Sequence, residues 1–201
     1  MAKPTRGGQN KKMSAELKSA LGSRNKKKED FDGAREAAKA VNPNWGKNGK
    51  QYTHNCQRCV IGFEEQMRGY DVEALAYQGK GDIMFENGRW MRMYEGQSWE
   101  INLGNRNKKV IENVKKQMEA WGEGARAICY VAWKGGDAHV FNLVQTKAGL
   151  LGVDAQSGRA NYTLWEAYLN DAKPSMTMIS RVDGLREKDD IKLAVKKKGK
   201  K

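Results

Sequence analysis

Residues 55–68, NCQRCVIGFEEQMR, decide the fold of this 201-residue chain. The apolar residues of this stretch recur at helical spacing and form one stripe, which consists of Cys56, Cys59, Val60, Phe63 and Met67. Asn55 is a residue type that caps helix N-termini, and Gly69 suits the position just after a helix C-terminus. The pattern therefore predicts a helix over residues 56–68 whose apolar stripe faces a core.

Cys56 stands at the first position of this predicted helix. Unpaired N–H groups and partial positive charge at a helix N-terminus favour a thiolate, so a cysteine there is a better nucleophile than one in mid-helix. The same N–H groups can stabilise a developing oxyanion. Packing is the alternative interpretation, because free cysteine is often a small buried apolar residue. Cys59 is a rival nucleophile that lies three residues deeper in the helix.

Cys56 and Cys59 also form a CxxC pair, which is typical of zinc half-sites and of redox pairs. Apart from this pair the chain has only Cys129, His54 and His139 as cysteine or histidine ligands, with no second CxxC. A redox pair is expected in a thioredoxin-like βαβ context, which the pattern does not show. We therefore expect neither a metal nor another cofactor. The odd number of cysteines argues against a disulfide framework and favours a reducing compartment.

Three apolar strands are predicted in the second half of the chain, over residues 125–133, 138–145 and 149–154. His139 lies at the start of the second strand, and Asp154 ends the third strand 15 residues later. A tight antiparallel pair can bring these two side chains together. An Asp that orients a His, with that His facing a Cys, is an arrangement of nucleophilic catalysis. The alternatives are a structural histidine and a turn aspartate.

The remaining pattern indicates an α+β fold, with helices packed on an antiparallel sheet. Further helices are predicted at residues 14–21, 31–41, 107–122 and 163–170, and extended segments at 71–76 and 175–182. Residues 77–108 are rich in glycine and aromatic side chains. The Asn87-Gly88 pair in this segment predicts a turn between two short strands.

Three segments carry a resemblance to a known family: VNPNWGKNGKQYTHNCQRCVIGFEEQMRGYDVEALA at 41–76, AHVFNLV at 138–144 and GVDAQSG at 152–158. In this order they resemble the glutamine deamidase toxin domains of papain-like fold, which occur in bacterial polymorphic toxins, effectors and some phage-encoded proteins. The matching features are an Asn-Cys at a helix start, a Gly-His-x-x-Asn pattern and a Val-Asp-x-Gln-x-Gly pattern. Ala138 and Ala155 depart from the Gly and the Pro that are common there.

The resemblance implies a papain-like fold with an N-terminal nucleophile helix, in which Cys56 is the nucleophile, His139 the base and Asp154 the acid that orients the base. It also implies that Asn55 lies beside the oxyanion site and that Gln156 forms hydrogen bonds there. The implied reaction converts a protein glutamine to glutamate through a thioester on the cysteine. A papain-like cysteine protease or a transglutaminase stays open, since these reactions differ only in leaving group and acceptor.

The net charge of +13 is concentrated at the two ends of the chain. Residues 1–41 hold 11 Lys and Arg against 5 Asp and Glu, and residues 186–201 hold 8 against 3. This composition predicts basic flexible tails over residues 1–30 and 186–201, around a catalytic domain at 31–185.

Basic tails can bind nucleic acid weakly by neutralising phosphates, so a non-catalytic nucleic-acid- or virion-associated binding protein is the alternative function. Otherwise we expect a protein substrate as partner, and for a toxin an immunity or inhibitor protein is a further possible partner.

The chain has no apolar run of membrane-spanning length, and no apolar stretch typical of a secretory signal follows its charged start. We therefore expect no membrane partner and a cytoplasmic location, in the producing or the target cell, with virion association as the alternative.

Overall fold

The computed structural model describes residues 13–47 and 49–199. In chain order these residues form helices α1 (Ala15–Leu21), α2 (Phe31–Val41), α3 (Cys56–Met67), α4 (Asn107–Trp121) and α5 (Leu164–Asp171), and strands β1 (Val72–Ala74), β2 (Arg126–Ala132), β3 (Ala138–Thr146), β4 (Gly149–Asp154), β5 (Arg159–Asn161), β6 (Met178–Arg181) and β7 (Val195–Lys197). Within these ranges no helix is long and apolar enough to cross a membrane. The predicted tail residues 1–12 and 200–201 lie outside the described residues.

A five-stranded antiparallel sheet in the order β5-β4-β3-β2-β6 occupies the centre. The predicted meander is confirmed, because β2, β3 and β4 follow one another in the chain and pair in that order. The register places Ala132 opposite Ala138 at one hairpin and Thr146 opposite Gly149 at the next. This register brings the start of β3 and the end of β4 to the same end of the sheet.

Helices cover both faces of this sheet, as the alternation of apolar residues in its strands requires. On one face Val144 and Leu151 join a buried cluster with Phe63 of α3 and alanines of α2. On the other face Phe141 joins a cluster with residues of α4 and α5. The helix α3 is therefore packed against the strands that carry His139 and Asp154.

Parts of the two segments predicted as basic tails form helices and strands, namely Ala15–Leu21, Asp189–Leu193 and Val195–Lys197. Leu17 and Leu21 of α1 are buried, as are Ile191 and Val195 near the C-terminus. The strand β7 pairs with β1 and contacts α1. These four apolar side chains pack into the core and hold the charged segments against it. The average charge and hydropathy of the chain ends do not indicate this packing.

The hairpin predicted around Asn87-Gly88 is wrong, because Glu86–Arg92 forms a 3-10 helix. Nearby tertiary contacts hold this segment. The Asp82 carboxylate accepts the backbone N–H groups of Gln78 and Met84, and it pairs with Arg58 of α3. Trp90 packs edge-to-face against Trp99, with ring centroids 5.4 Å apart. Arg58 lies outside this segment, so a local turn pattern could not indicate the contact that it makes with Asp82.

Candidate active site

Cys56 is the first residue of α3, as predicted, and its side chain is nearly buried, at 8% exposed. The helix begins there because Asn55 leaves helical geometry, with φ −104° and ψ 25°. Asn55 occupies the cap position without a capping hydrogen bond from its side chain, which corrects the expected cap. Its amide instead donates to the Leu75 carbonyl at 3.1 Å. The thiol at the helix start therefore lies near the unpaired N–H groups of a helix N-terminus.

His139 and Asp154 are brought together by the β3–β4 pairing, although 15 residues separate them in the chain. The Nε2 atom of His139 lies 3.4 Å from Oδ1 of Asp154. This contact is an ion pair rather than an aligned hydrogen bond, because among the described residues Nε2 meets no acceptor at hydrogen-bond geometry. Cys56 lies near enough to His139 to influence the pKa of the imidazole, so the structure places the three predicted site residues in one region.

The protonation states of His139 and Asp154 depend strongly on each other. Burial by itself would lower the pKa of His139, but close contacts with the Asp154 and Cys56 side chains and their negative charges raise it to about 9. Burial would raise the pKa of Asp154, yet hydrogen bonding and the charge of His139 hold it well below its usual range. Near neutral pH the pair is therefore an imidazolium beside a carboxylate.

Two residues that sequence reasoning missed hold the Asp154 carboxylate. Its Oδ2 atom accepts the Ser157 hydroxyl at 2.7 Å and the Tyr168 hydroxyl at 2.9 Å. The backbone N–H of Gln156 donates to Oδ1 at 3.2 Å. Ser157 could have been suspected from its place in the GVDAQSG segment, but Tyr168 lies on α5 and carries no local signal.

Aromatic rings enclose the imidazole of His139. Trp133 stacks on it with ring centroids 6.3 Å apart, and Tyr168 meets it edge-on at 5.7 Å. Trp133 is next to the β2–β3 hairpin, so the same turn that begins β3 also supplies this ring. Rings around the His139–Asp154 pair exclude water and so strengthen the electrostatic contact between them.

Asn55 and Gln156 form an amide cluster with Asn42, the residue that follows α2. The Gln156 side chain reaches Oδ1 of Asn55 at 3.5 Å, and Asn42 donates to the Gln156 carbonyl at 2.8 Å. Asn42 also donates to the Tyr52 carbonyl at 2.9 Å. The cluster fastens the segment before α3 to the turn after β4, and so connects the Cys56 side of the site to the Asp154 side.

Cys59 is poorly suited to be the nucleophile. Its side chain is buried, and burial together with the neighbouring Cys56 charge raises the pKa of its thiol well above the usual value. A buried neutral thiol is a weak nucleophile. Within the described ranges no group of three or more His, Cys, Asp or Glu side chains could hold a metal ion.

Comparisons with known proteins give one family and one solved structure. A family described as papain fold toxin 1, glutamine deamidase, matches residues 54–159, which is more than half of the chain and includes Cys56, His139 and Asp154. A variant of the Salmonella effector SpvD aligns with a TM-score of 0.48 at 14% identity, over 83% of this chain and 87% of the effector structure. No curated protein sequence matches the chain.

Proposed function

The chain belongs to the papain-fold toxin family of glutamine deamidases, and from this premise we propose that Cys56, His139 and Asp154 hydrolyse a glutamine carboxamide of a protein substrate to glutamate. The observation that supports this proposal best is the convergence of the three side chains at the N-terminus of α3. Nucleophile, base and orienting acid are the groups that acyl transfer from an amide requires.

In the first half of the reaction the Cys56 thiolate attacks the carboxamide carbon. The carbonyl oxygen gains negative charge, and the N–H groups at the start of α3 lie where they can stabilise it. His139 then donates its proton to the departing nitrogen, the carbon–nitrogen bond breaks, and ammonia leaves. The product of this half is a thioester between Cys56 and the substrate side chain.

In the second half water replaces ammonia as the reacting partner. His139, now neutral, accepts a proton from water while the oxygen attacks the thioester carbon. The carbon–sulfur bond breaks, glutamate forms, and Cys56 returns as a thiolate beside an imidazolium. The overall reaction consumes one water and releases one ammonia for each glutamine converted.

The two nitrogens of His139 have separate tasks in this scheme. Nε2 faces Asp154 at 3.4 Å, so Nδ1 is the atom that exchanges protons with Cys56, ammonia and water. The pKa of about 9 for His139 favours the imidazolium near neutral pH, which supplies the proton that the leaving group needs. Asp154 keeps the ring oriented and stabilises its charge.

The same three residues could cleave a peptide bond or transfer the acyl group to an amine. The family match is the observation that favours the side-chain carboxamide as substrate and water as acceptor. We further propose the cytoplasm of a target cell as the place of action, where reducing conditions keep Cys56 available.

The direct test measures ammonia release from glutamine-containing proteins together with the mass of those proteins. Wild type should release ammonia and add about 1 Da for each converted glutamine, whereas Cys56→Ala should lose about 1000-fold or more of the rate. Cys59→Ala is the matched control and should retain activity. Retained turnover in Cys56→Ala, or new peptide termini in place of the mass gain, would refute the proposal.

A further inference from the structure

The two oxygens of the Asp154 carboxylate have different partners. Oδ1 faces Nε2 of His139 at 3.4 Å and accepts the backbone N–H groups of Gln156 at 3.2 Å and Ser157 at 3.4 Å. Oδ2 accepts hydroxyl protons from Tyr168 at 2.9 Å and from Ser157 at 2.7 Å, and it lies 3.5 Å from an Arg159 nitrogen. A carboxylate can rotate about its last side-chain bond, which is torsionally soft. The hydroxyl donors on Oδ2 and the backbone donors on Oδ1 therefore together determine which oxygen faces the imidazole.

The hydroxyl of Tyr168 has its proton directed at Asp154. It accepts an N–H from Arg159 at 2.6 Å, so its own proton is left for Oδ2. Burial and the Asp154 charge raise the pKa of Tyr168 above its usual value, so the phenol is protonated near neutral pH. A neutral donor to a carboxylate is a charge-assisted hydrogen bond, which is stronger than one between neutral groups.

The ring of Tyr168 contacts the other member of the pair as well. It meets the His139 ring edge-on, and it packs in the same way against Phe141 at 5.1 Å and Trp133 at 5.4 Å. These three contacts fix the ring on the sheet, since Phe141 belongs to β3 and Trp133 follows β2. One side chain thus touches both the imidazole and the carboxylate from a rigid position.

We propose that Tyr168 is a positioning residue, which holds Oδ1 of Asp154 toward His139 through its hydroxyl and holds the imidazole in place through its ring. Its catalytic consequence rests on the proposed function, because Tyr168 acts through Asp154 and His139 rather than on the substrate. Ser157 shares the task at Oδ2, and Arg159 contributes both through its ion pair with Oδ2 and by orienting the Tyr168 hydroxyl.

The test compares Tyr168→Phe with Tyr162→Phe, a control that removes a hydroxyl from an exposed tyrosine whose nearest polar contact is Thr146 at 3.4 Å. The first readout is the titration of His139 by NMR, which is simple to assign because the chain has only two histidines. Tyr168→Phe removes one of the two hydroxyl donors on Oδ2, so the carboxylate is held less firmly toward the imidazole and the pKa of His139 should fall by about half a pH unit or more. Tyr162→Phe should leave it unchanged.

The second readout is steady-state deamidation. Tyr168→Phe should lower kcat about tenfold with KM nearly unchanged, because the substrate is still bound but proton transfer is misaligned. Ser157→Ala should lower both the pKa of His139 and kcat as well. This variant tests the role of the Oδ2 donors even if Tyr168→Phe does not fold. A His139 titration that is unchanged or shifted upward in both variants would overturn the proposal. Since the titration needs no substrate, failure of the deamidase proposal would appear separately, as an inactive wild type.

Discussion

The Arg58 guanidinium and the Asp82 carboxylate form a buried two-point ion pair, with nitrogen–oxygen distances of 2.6 and 2.8 Å. Each side chain is only 1% exposed. Arg58 follows Cys56 by two residues in α3, while Asp82 lies in the loop after β1. The pair therefore fastens this loop to the helical turn that carries the proposed nucleophile.

Removing one partner of this pair should be costly. Asp82→Ala leaves the Arg58 charge buried without a counter-charge, so the free energy of unfolding should fall by about 3–5 kcal/mol in urea titrations. Glu112→Ala breaks the exposed pair with Lys109 and is the matched control, with an expected loss below about 1 kcal/mol. Equal, small losses in both variants would contradict a stabilising role for the buried pair.

The pH dependence of kcat/KM should follow the titration of His139. Deprotonation removes the proton that ammonia needs, so activity should fall as the pH rises through about 9. Asp154→Asn removes the charge that stabilises the imidazolium, and the alkaline fall should then move toward the ordinary histidine value of 6.5. Initial rates across this range test both statements. An alkaline fall at the same pH in Asp154→Asn would show that Asp154 does not act on His139.

Glu65 should make the fold less stable as the pH rises. Burial raises the pKa of this carboxyl from 4.5 to about 8, and the charges of Glu187 and Glu64 add to the effect, although Arg68 opposes it. Between these values the folded state holds a proton that the unfolded state has lost, so the free energy of unfolding falls with rising pH. A glutamine amide has nearly the same shape as the protonated carboxyl and no charge, and its carbonyl oxygen can accept the Tyr94 hydroxyl that Oε1 accepts at 3.0 Å.

Glu65→Gln should therefore flatten the decline in stability between pH 4.5 and 8, the range set by the two pKa values. Chemical denaturation at several pH values measures it, with exposed Glu119→Gln as the control that keeps the wild-type slope. If Glu65→Gln retained the wild-type slope as well, the decline would have another origin.

Gly152 allows β4 to approach α5 closely. A Cβ at this position would lie 2.7 Å from the backbone nitrogen of Trp165 and 3.2 Å from the Leu164 Cβ. Gly152→Ala should lower the free energy of unfolding by about 1–3 kcal/mol, because backbone must move to make room. Asp154 is two residues further along the strand, so kcat should fall as well. Gly135→Ala adds a methyl where nothing lies within 4 Å and should be neutral in both measurements.

The elements with a strong local pattern could be predicted from the sequence. The helix predicted over residues 56–68 is Cys56–Met67, and the strand predicted over 149–154 is Gly149–Asp154. Their periodicities coincide with the faces that they bury. The hairpin predicted in segment 77–108 was wrong because Asp82 pairs with Arg58 and Trp90 stacks on Tyr130, partners outside the segment that no local pattern encodes.

The chemistry of the site was only partly accessible to sequence reasoning. Cys56, His139 and Asp154 were named from their residue types, their placement on elements and a family resemblance. Tyr168 and Trp133 were missed as site residues because their contribution consists of contacts made across the fold. The helix around Leu17 was predicted from the sequence, whereas the strand Val195–Lys197 was missed because its apolar residues are few among many charges.

A glutamine analogue that carries a chloromethyl ketone in place of the carboxamide identifies the nucleophile, because the attacking sulfur displaces chloride and forms a stable thioether. Trypsin cleaves after Arg58 and so separates Cys56, in peptide 51–58, from Cys59, in peptide 59–68. We expect the label on peptide 51–58 only, and we expect the labelling reaction to be at least about tenfold slower in His139→Gln. Label on peptide 59–68, or an equal rate in His139→Gln, would contradict it.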